Sequence, residues 1–234
     1  MATLIRSAFG FGEALVAVPL LAFCLPLQVA APLAVLVSIS IAAIVVAQDW
    51  RHIHMRSAGW LLFATALGIP LGLYMLTRSP ERLVKAGLGA MILLFSAYSL
   101  AGRMRFKLHQ DSRGWLLACG FCSGILGGAY GMNGPPLVLY GSLRRWPPQR
   151  FRATLQAYFL PASLLGMFGY WATGLWTPVV TRDYLVSLPV MIPAVFLGRA
   201  INHRLPHAAF SRYVYFGLAA IGISLLVQAL VRSR

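Results

Sequence analysis

The chain has 234 residues, of which 59% are apolar and only 11% charged, against about a quarter charged in a soluble domain. With a mean hydropathy of +0.74, a soluble globular domain is excluded and lipid is the expected solvent. The net charge of +15 would suggest nucleic acid on its own. The Lys and Arg, however, fall in short clusters between apolar stretches, where loops facing anionic headgroups collect them, so nucleic acid is excluded as a partner.

The apolar stretches run from end to end, which predicts one polytopic, all-α transmembrane domain over residues 1–234. The first stretch, 4–25, is broken by glycine at Ala8-Phe9-Gly10-Phe11-Gly12-Glu13-Ala14. No cleavable signal peptide is expected, because Gly10, Gly12 and Glu13 follow Arg6 too closely for a continuous apolar core. Three full spans are predicted at 30–48, 57–77 and 83–101. A second glycine-broken stretch, 114–143, carries Ala129-Tyr130-Gly131-Met132-Asn133-Gly134-Pro135. Three more spans follow at 153–173, 184–202 and 208–231. Pro70, Pro161, Pro189 and Pro193 lie inside spans and are read as kinks whose freed carbonyls neighbouring helices satisfy.

The two broken stretches align at an offset of 121 residues, and each is followed by three spans. Gly72 and Gly198 precede short links holding Pro80 and Pro206, and Lys85 and Arg212 open the next helices. The chain therefore reads as two structural repeats of four hydrophobic segments each, about 1–105 and about 112–234, as in many secondary transporters. If the broken stretches are kinked spans, the 20 Lys and Arg divide ten and ten between the faces. If they are re-entrant, thirteen fall on one face and seven on the other. Because cytoplasmic loops carry an excess of Lys and Arg, the re-entrant, inverted reading with both termini outside is favoured.

Glycines at 124, 127, 128, 131 and 134 recur every three or four residues. From 124 to 128 they predict close helix packing. From 131 onward, Asn133-Gly134-Pro135-Pro136 cannot continue a regular helix, since proline lacks the amide and restricts the residue before it. Backbone opened at membrane depth must be buried in protein or line a wet cavity. A helix starting after such a break points free N–H groups and its positive dipole end into that cavity, which suits an anion. Gly10 and Gly12 offer the same in the first half. Glu13 breaks the symmetry: a carboxylate in lipid is costly and suggests a proton carrier, the alternatives being an ion pair with an arginine such as Arg199 or exposure at the interface. Ser38, and in the second half Thr154 and Gln156, are further candidates for binding substrate. Hydroxyls in membrane helices more often bond backbone or a neighbouring helix.

Cys119 and Cys122 match C-x-x-C without a βαβ context and are read as small buried thiols. His52 and His54 lack further ligands, so no metal site is expected. No phosphate loop, nucleophile elbow or paired carboxylates occur, so no catalytic residue, no cofactor and no enzyme activity are expected.

The stretch Ser123 to Leu137, its degenerate copy at Gly10 to Pro19 and the link Arg150-Phe151-Arg152-Ala153-Thr154 resemble the TauE/SafE family of sulfite and organosulfonate exporters over essentially the whole chain. The resemblance implies a bacterial inner-membrane protein that moves small anions, often sulfur-containing, without ATP. Family members carry a fuller glycine triplet where Gly12-Glu13-Ala14 and Asn133-Gly134-Pro135 stand here. The expected function is secondary transport of a small anionic substrate, with proton coupling suggested by Glu13. The expected partners are that substrate and the lipid bilayer, with a homo-oligomer allowed. A passive anion channel and a non-transporting membrane partner protein are the alternatives.

Overall fold

The structure, a computed structural model, describes residues 12–49, 55–101, 113–143, 148–202 and 207–231. Within these, only the backbone is described at 45–49, 55–58, 142–143, 148–154, 156–157, 195–202, 207–214 and 230–231. The described residues form nine helices and no strand: α1 Glu13–Cys24, α2 Leu27–Asp49, α3 Met55–Arg78, α4 Glu81–Leu100, α5 Arg113–Tyr130, α6 Gly134–Leu143, α7 Pro148–Ala172, α8 Pro178–Asn202 and α9 His207–Val231.

Helix is the form that satisfies every backbone polar group within its own segment, which lipid demands. The six predicted spans fall on α2, α3, α4, α7, α8 and α9, whose starts lie one to six residues earlier than predicted. The largest differences are at α7 and α8. Both open on a proline, which is preorganised for the first helical turn, and carry charged residues soon after it, Arg150 and Arg152 in α7 and Arg182 and Asp183 in α8, that a hydropathy window discards. Pro70, Pro161, Pro189 and Pro193 lie inside helices as expected.

The helix directions follow from their contacts. Let the end of the bundle at which α3 begins be its base, and the opposite end its top. Thr65 of α3 meets Gly124 of α5, and Gly72 meets Gly128 and Ala129, so α5 runs parallel to α3 from base towards top. Tyr158 of α7 lies beside Thr65, while Gly169 lies beside Leu73, so α7 also climbs from the base. Gln28 at the start of α2 reaches the Leu76 carbonyl, so α2 descends from the top. In α2 and α8, Ser40 meets Tyr184 and Ile41 packs with Met191, so α8 descends alongside α2. Arg82 Nε donates to the Ala229 carbonyl at 2.5 Å, and Phe95 meets Tyr215 edge to face, so α4 and α9 are antiparallel.

The short helices go opposite ways. Helix α1 rises to the top, where α2 starts. Helix α6 instead turns back along α5: Asn133 folds against Gly127, and Leu137 and Tyr140 join a core cluster with Leu116 and Cys119 from the start of α5. Thus α5 and α6 form a hairpin that enters from the base and returns to it.

The α3–α5 contact is the closest in the bundle. A Cβ at Gly68, Gly72 or Gly124 would sit 2.2 Å from a carbonyl oxygen of the facing helix, so these positions admit only hydrogen. This is the small-residue packing that lets membrane helices approach without a hydrophobic driving force. A hydrogen-bond chain reinforces it. The Thr65 hydroxyl donates to the Gly120 carbonyl at 3.0 Å and accepts from the Tyr158 hydroxyl at 2.6 Å.

Large apolar side chains point outward, with Leu94 74% and Val190 75% exposed. In water such a surface would invite aggregation, but here it faces lipid. Trp60 and Trp115 are exposed near the base and Trp171 and Trp176 near the top, as interfacial aromatic belts require. Among the described residues, three helices are long and apolar enough to cross a membrane, at Leu27–Ile44, Gly59–Arg78 and Glu81–Leu100.

Gly72→Ala should lower the unfolding midpoint in detergent, at a cost of about 1–3 kcal/mol for overpacking. Gly217→Ala, where nothing lies within 4 Å, should be neutral or stabilise by up to ~1 kcal/mol through helix propensity. Equal midpoints for the two variants would contradict the α3–α5 contact.

Candidate functional site

The site begins with two glycines that leave the right-handed region. Gly12, at φ 98°, precedes α1 and supplies no side-chain cap. Gly131, at φ 67°, ends α5. The Gly131 N–H bonds the Gly127 carbonyl at 2.9 Å and the Met132 N–H bonds Leu126 O at 3.2 Å, a left-handed helix stop of the kind that glycine permits.

The opened backbone is then satisfied from outside. The buried Tyr170 hydroxyl of α7 points at the Gly127 and Gly128 carbonyls, at 2.8 and 3.0 Å. Ser123 Oγ donates to the Asn133 carbonyl. Gly127 has a second role, because a Cβ there would lie 1.8 Å from Asn133 Oδ1. That oxygen is therefore turned onto the Gly127 backbone, and the NH₂ end of the amide points away from α5. Asn133 is 6% exposed, and its Oδ1 has no hydrogen-bond partner among the described residues.

Between the breaks lies a cavity of about 30 Å³, room for a few water-sized atoms. It is lined by residues 12–15, Ser38 of α2, residues 131–135, and Phe159 and Ser163 of α7. Twelve residues of α1 lead from it to the top and ten of α6 lead to the base. At a rise of about 1.5 Å per residue these are roughly 18 and 15 Å, which together match a hydrocarbon core of about 30 Å. The cavity thus sits near mid-depth, with the N-termini of two opposed helices at its wall.

The two termini are chemically unequal. Helix α1 brings the first-turn amides of Glu13, Ala14 and Leu15, which have no acceptor within the helix. Helix α6 places Pro135 and Pro136 in its first turn, where proline is tolerated but offers no N–H. The first turn of α6 therefore offers fewer amides than that of α1, the Gly134 N–H among them, with the Asn133 side chain beside it. Glu13, the first residue of α1, is 2% exposed, which rules out exposure at the interface. A helix N-terminus is also where the dipole favours a carboxylate.

Of the residues proposed from sequence, Gly12, Glu13, Ser38, Gly131, Asn133 and Gly134 line this one cavity. Gly10 lies outside the described residues, as does the side chain of Arg199. Thr154 and Gln156 are on α7, but their side chains are likewise outside those described; among the described residues of α7, Phe159 and Ser163 line the cavity. Adding the offset of 121 to Ser38 gives Phe159, so the two residues at this spacing meet at the same cavity. Cys119 is buried and Cys122 exposed, both as free thiols, and no metal-binding cluster occurs among the described residues.

An all-helical chain with an apolar outer surface and a polar cavity at mid-depth is built as a membrane transport protein. The chain belongs to the family described as Sulfite exporter TauE/SafE, whose model matches residues 1–225. It is similar to the "Probable sulfite/organosulfonate exporter TauE" of Cupriavidus necator, with 28% identity over 183 residues, covering 78% of this chain and 70% of that protein. No solved structure matches it significantly. The protein is a membrane transporter from a family of exporters, not of enzymes.

Tyr170→Phe removes the hydroxyl that satisfies the end of α5 and should cost about 1–3 kcal/mol, the penalty for a buried polar group left unmet, measured as a lower melting temperature in detergent. Gly127→Ala should displace the Asn133 amide and abolish substrate flux in protein that still purifies. Full flux from Gly127→Ala would show that the position of Asn133 is unimportant.

Proposed function

We propose that the protein is a multi-pass transporter of the bacterial inner membrane that exports a small anion, sulfite or a compact organosulfonate, from the mid-depth cavity. One observation carries this reading. Residues from two chain segments 121 positions apart meet at one cavity, where two helix N-termini face each other. Their dipoles favour negative charge, while Asn133, Ser38 and Ser163 supply polar contacts. The small volume suits a compact anion, and the printed names of the family and of the Cupriavidus protein point to sulfur oxyanions. Glu13 makes proton coupling part of the reading.

We further infer that the two halves form an inverted repeat. Helices α1 to α4 begin at 13, 27, 55 and 81, and α6 to α9 at 134, 148, 178 and 207, which are offsets of 121, 121, 123 and 126. Each pair runs in opposite directions through the bundle. The α5–α6 hairpin then acts as a re-entrant element, and transport proceeds by rocking one half against the other around a fixed site. With the base cytoplasmic, the orientation that the Lys/Arg excess favours, the C-terminus lies outside.

In proteoliposomes, sulfite or small sulfonates should move without ATP, and a proton gradient should alter the rate. Failure of all these anions to move removes the substrate class, and conductance indifferent to a proton gradient favours a passive channel. A reporter fused after Arg234 should be active only in its periplasmic form. Cytoplasmic activity would overturn the inverted topology while leaving the cavity reading intact.

A further inference from the structure

Among the described residues, Phe159 is the largest side chain lining the cavity, and it stands 121 residues on from Ser38, which lines the same cavity from α2. The two halves thus place a small hydroxyl on one wall and a phenyl ring on the other. The ring meets the site end-on. A Cβ on Gly134, the first residue of α6, would stand 3.6 Å from Phe159 Cζ and 3.9 Å from its Cε1. Its tip therefore lies beside the α6 N-terminus, the place to which a helix dipole draws an anion.

The ring is held there. Phe159 is buried and shares a core cluster with Leu137 and Tyr140 of α6 and with Tyr158 of its own helix. Helix α7 is tied down on either side of it. The Tyr158 hydroxyl bonds Thr65 of α3, and the Tyr170 hydroxyl bonds the Gly127 and Gly128 carbonyls of α5. To retreat, the ring would have to displace close-packed neighbours or pull α7 away from both α3 and α5, and interiors packed at crystal-like density give little. The free volume is about 30 Å³, room for a few water-sized atoms, so the phenyl ring is itself larger than the space it borders. A sulfur oxyanion headgroup fills that space with little left over. Because the halves rock around a fixed site, a carbon chain attached to the headgroup must be seated within the same walls.

We propose that Phe159 sets an upper limit on substrate size: the site takes sulfite or a one-carbon sulfonate and rejects sulfonates with longer chains. This deepens the reading of the cavity as an anion site and rests on it. The limit is steric, since alkanesulfonates share one headgroup and one charge while only the chain grows. A methylene that finds apolar space tightens binding, whereas one driven into a packed wall weakens it. Phe159 puts the second carbon against such a wall.

Uptake of labelled methane-, ethane- and propanesulfonate into proteoliposomes tests this. Wild-type protein should carry methanesulfonate and lose roughly tenfold or more in kcat/KM on passing to propanesulfonate, the scale on which pockets discriminate by methylenes. Phe159→Ala should remove most of that difference. Phe159→Leu, which keeps part of the bulk, should admit ethanesulfonate and still reject propanesulfonate. Leu155→Ala truncates a buried residue one turn earlier in the same cluster, away from the residues lining the cavity, and should keep the wild-type ranking. Propanesulfonate carried by wild-type protein as well as methanesulfonate overturns the proposal, whether or not the variants fold. A wild-type ranking in both Phe159 variants, or its loss in Leu155→Ala, overturns the assignment to Phe159. Failure of sulfite and all three sulfonates to move removes the anion site itself and the proposal with it.

Discussion

In lipid, a backbone N–H or C=O that leaves its helix has no water to turn to, and each one left unmet costs several kcal/mol. The break between α5 and α6 is where this chain meets that constraint most sharply. Gly131 can take the left-handed turn because it has no Cβ. Tyr170 then covers the carbonyls at the end of α5, and Ser123 covers that of Asn133. Without these partners the hairpin could not stand open at mid-depth, and without the opening there would be no cavity.

The same economy explains why so much of the bundle is glycine. Helices in lipid gain little from burying apolar side chains against each other, so close approach and dispersion must hold them together. Gly68, Gly72, Gly124 and Gly128 bring α3 and α5 into backbone contact, which fixes α5 firmly enough to present its broken end. The arm that carries the site is thus rooted in the tightest interface of the molecule. The polar residues of the site face inward, where protein groups replace water.

The N-terminus of a helix is where a buried carboxylate is least costly, and Glu13 opens α1 there. Asymmetry between the halves matters here. Gly134 stands 121 residues on from Glu13, so the two halves bring unlike groups to the cavity.

Much of this was legible in the residues. Hydropathy named lipid as the solvent and located six long helices, and Gly12, Gly131 and Pro135 marked where backbone must open. These are local properties: apolar run length and the φ preferences of glycine and proline act within a few residues. Helix starts at Pro148 and Pro178 were missed because the charges just inside them, at Arg150 and Arg152 and at Arg182 and Asp183, look like loops to a hydropathy window. The return of α6 along α5, the covering of Gly127 and Gly128 by Tyr170, and the placing of Phe159 and Ser163 at the cavity were decided by tertiary structure. Which side of a helix faces a cavity depends on its depth and rotation against its neighbours, and no local pattern carries that information.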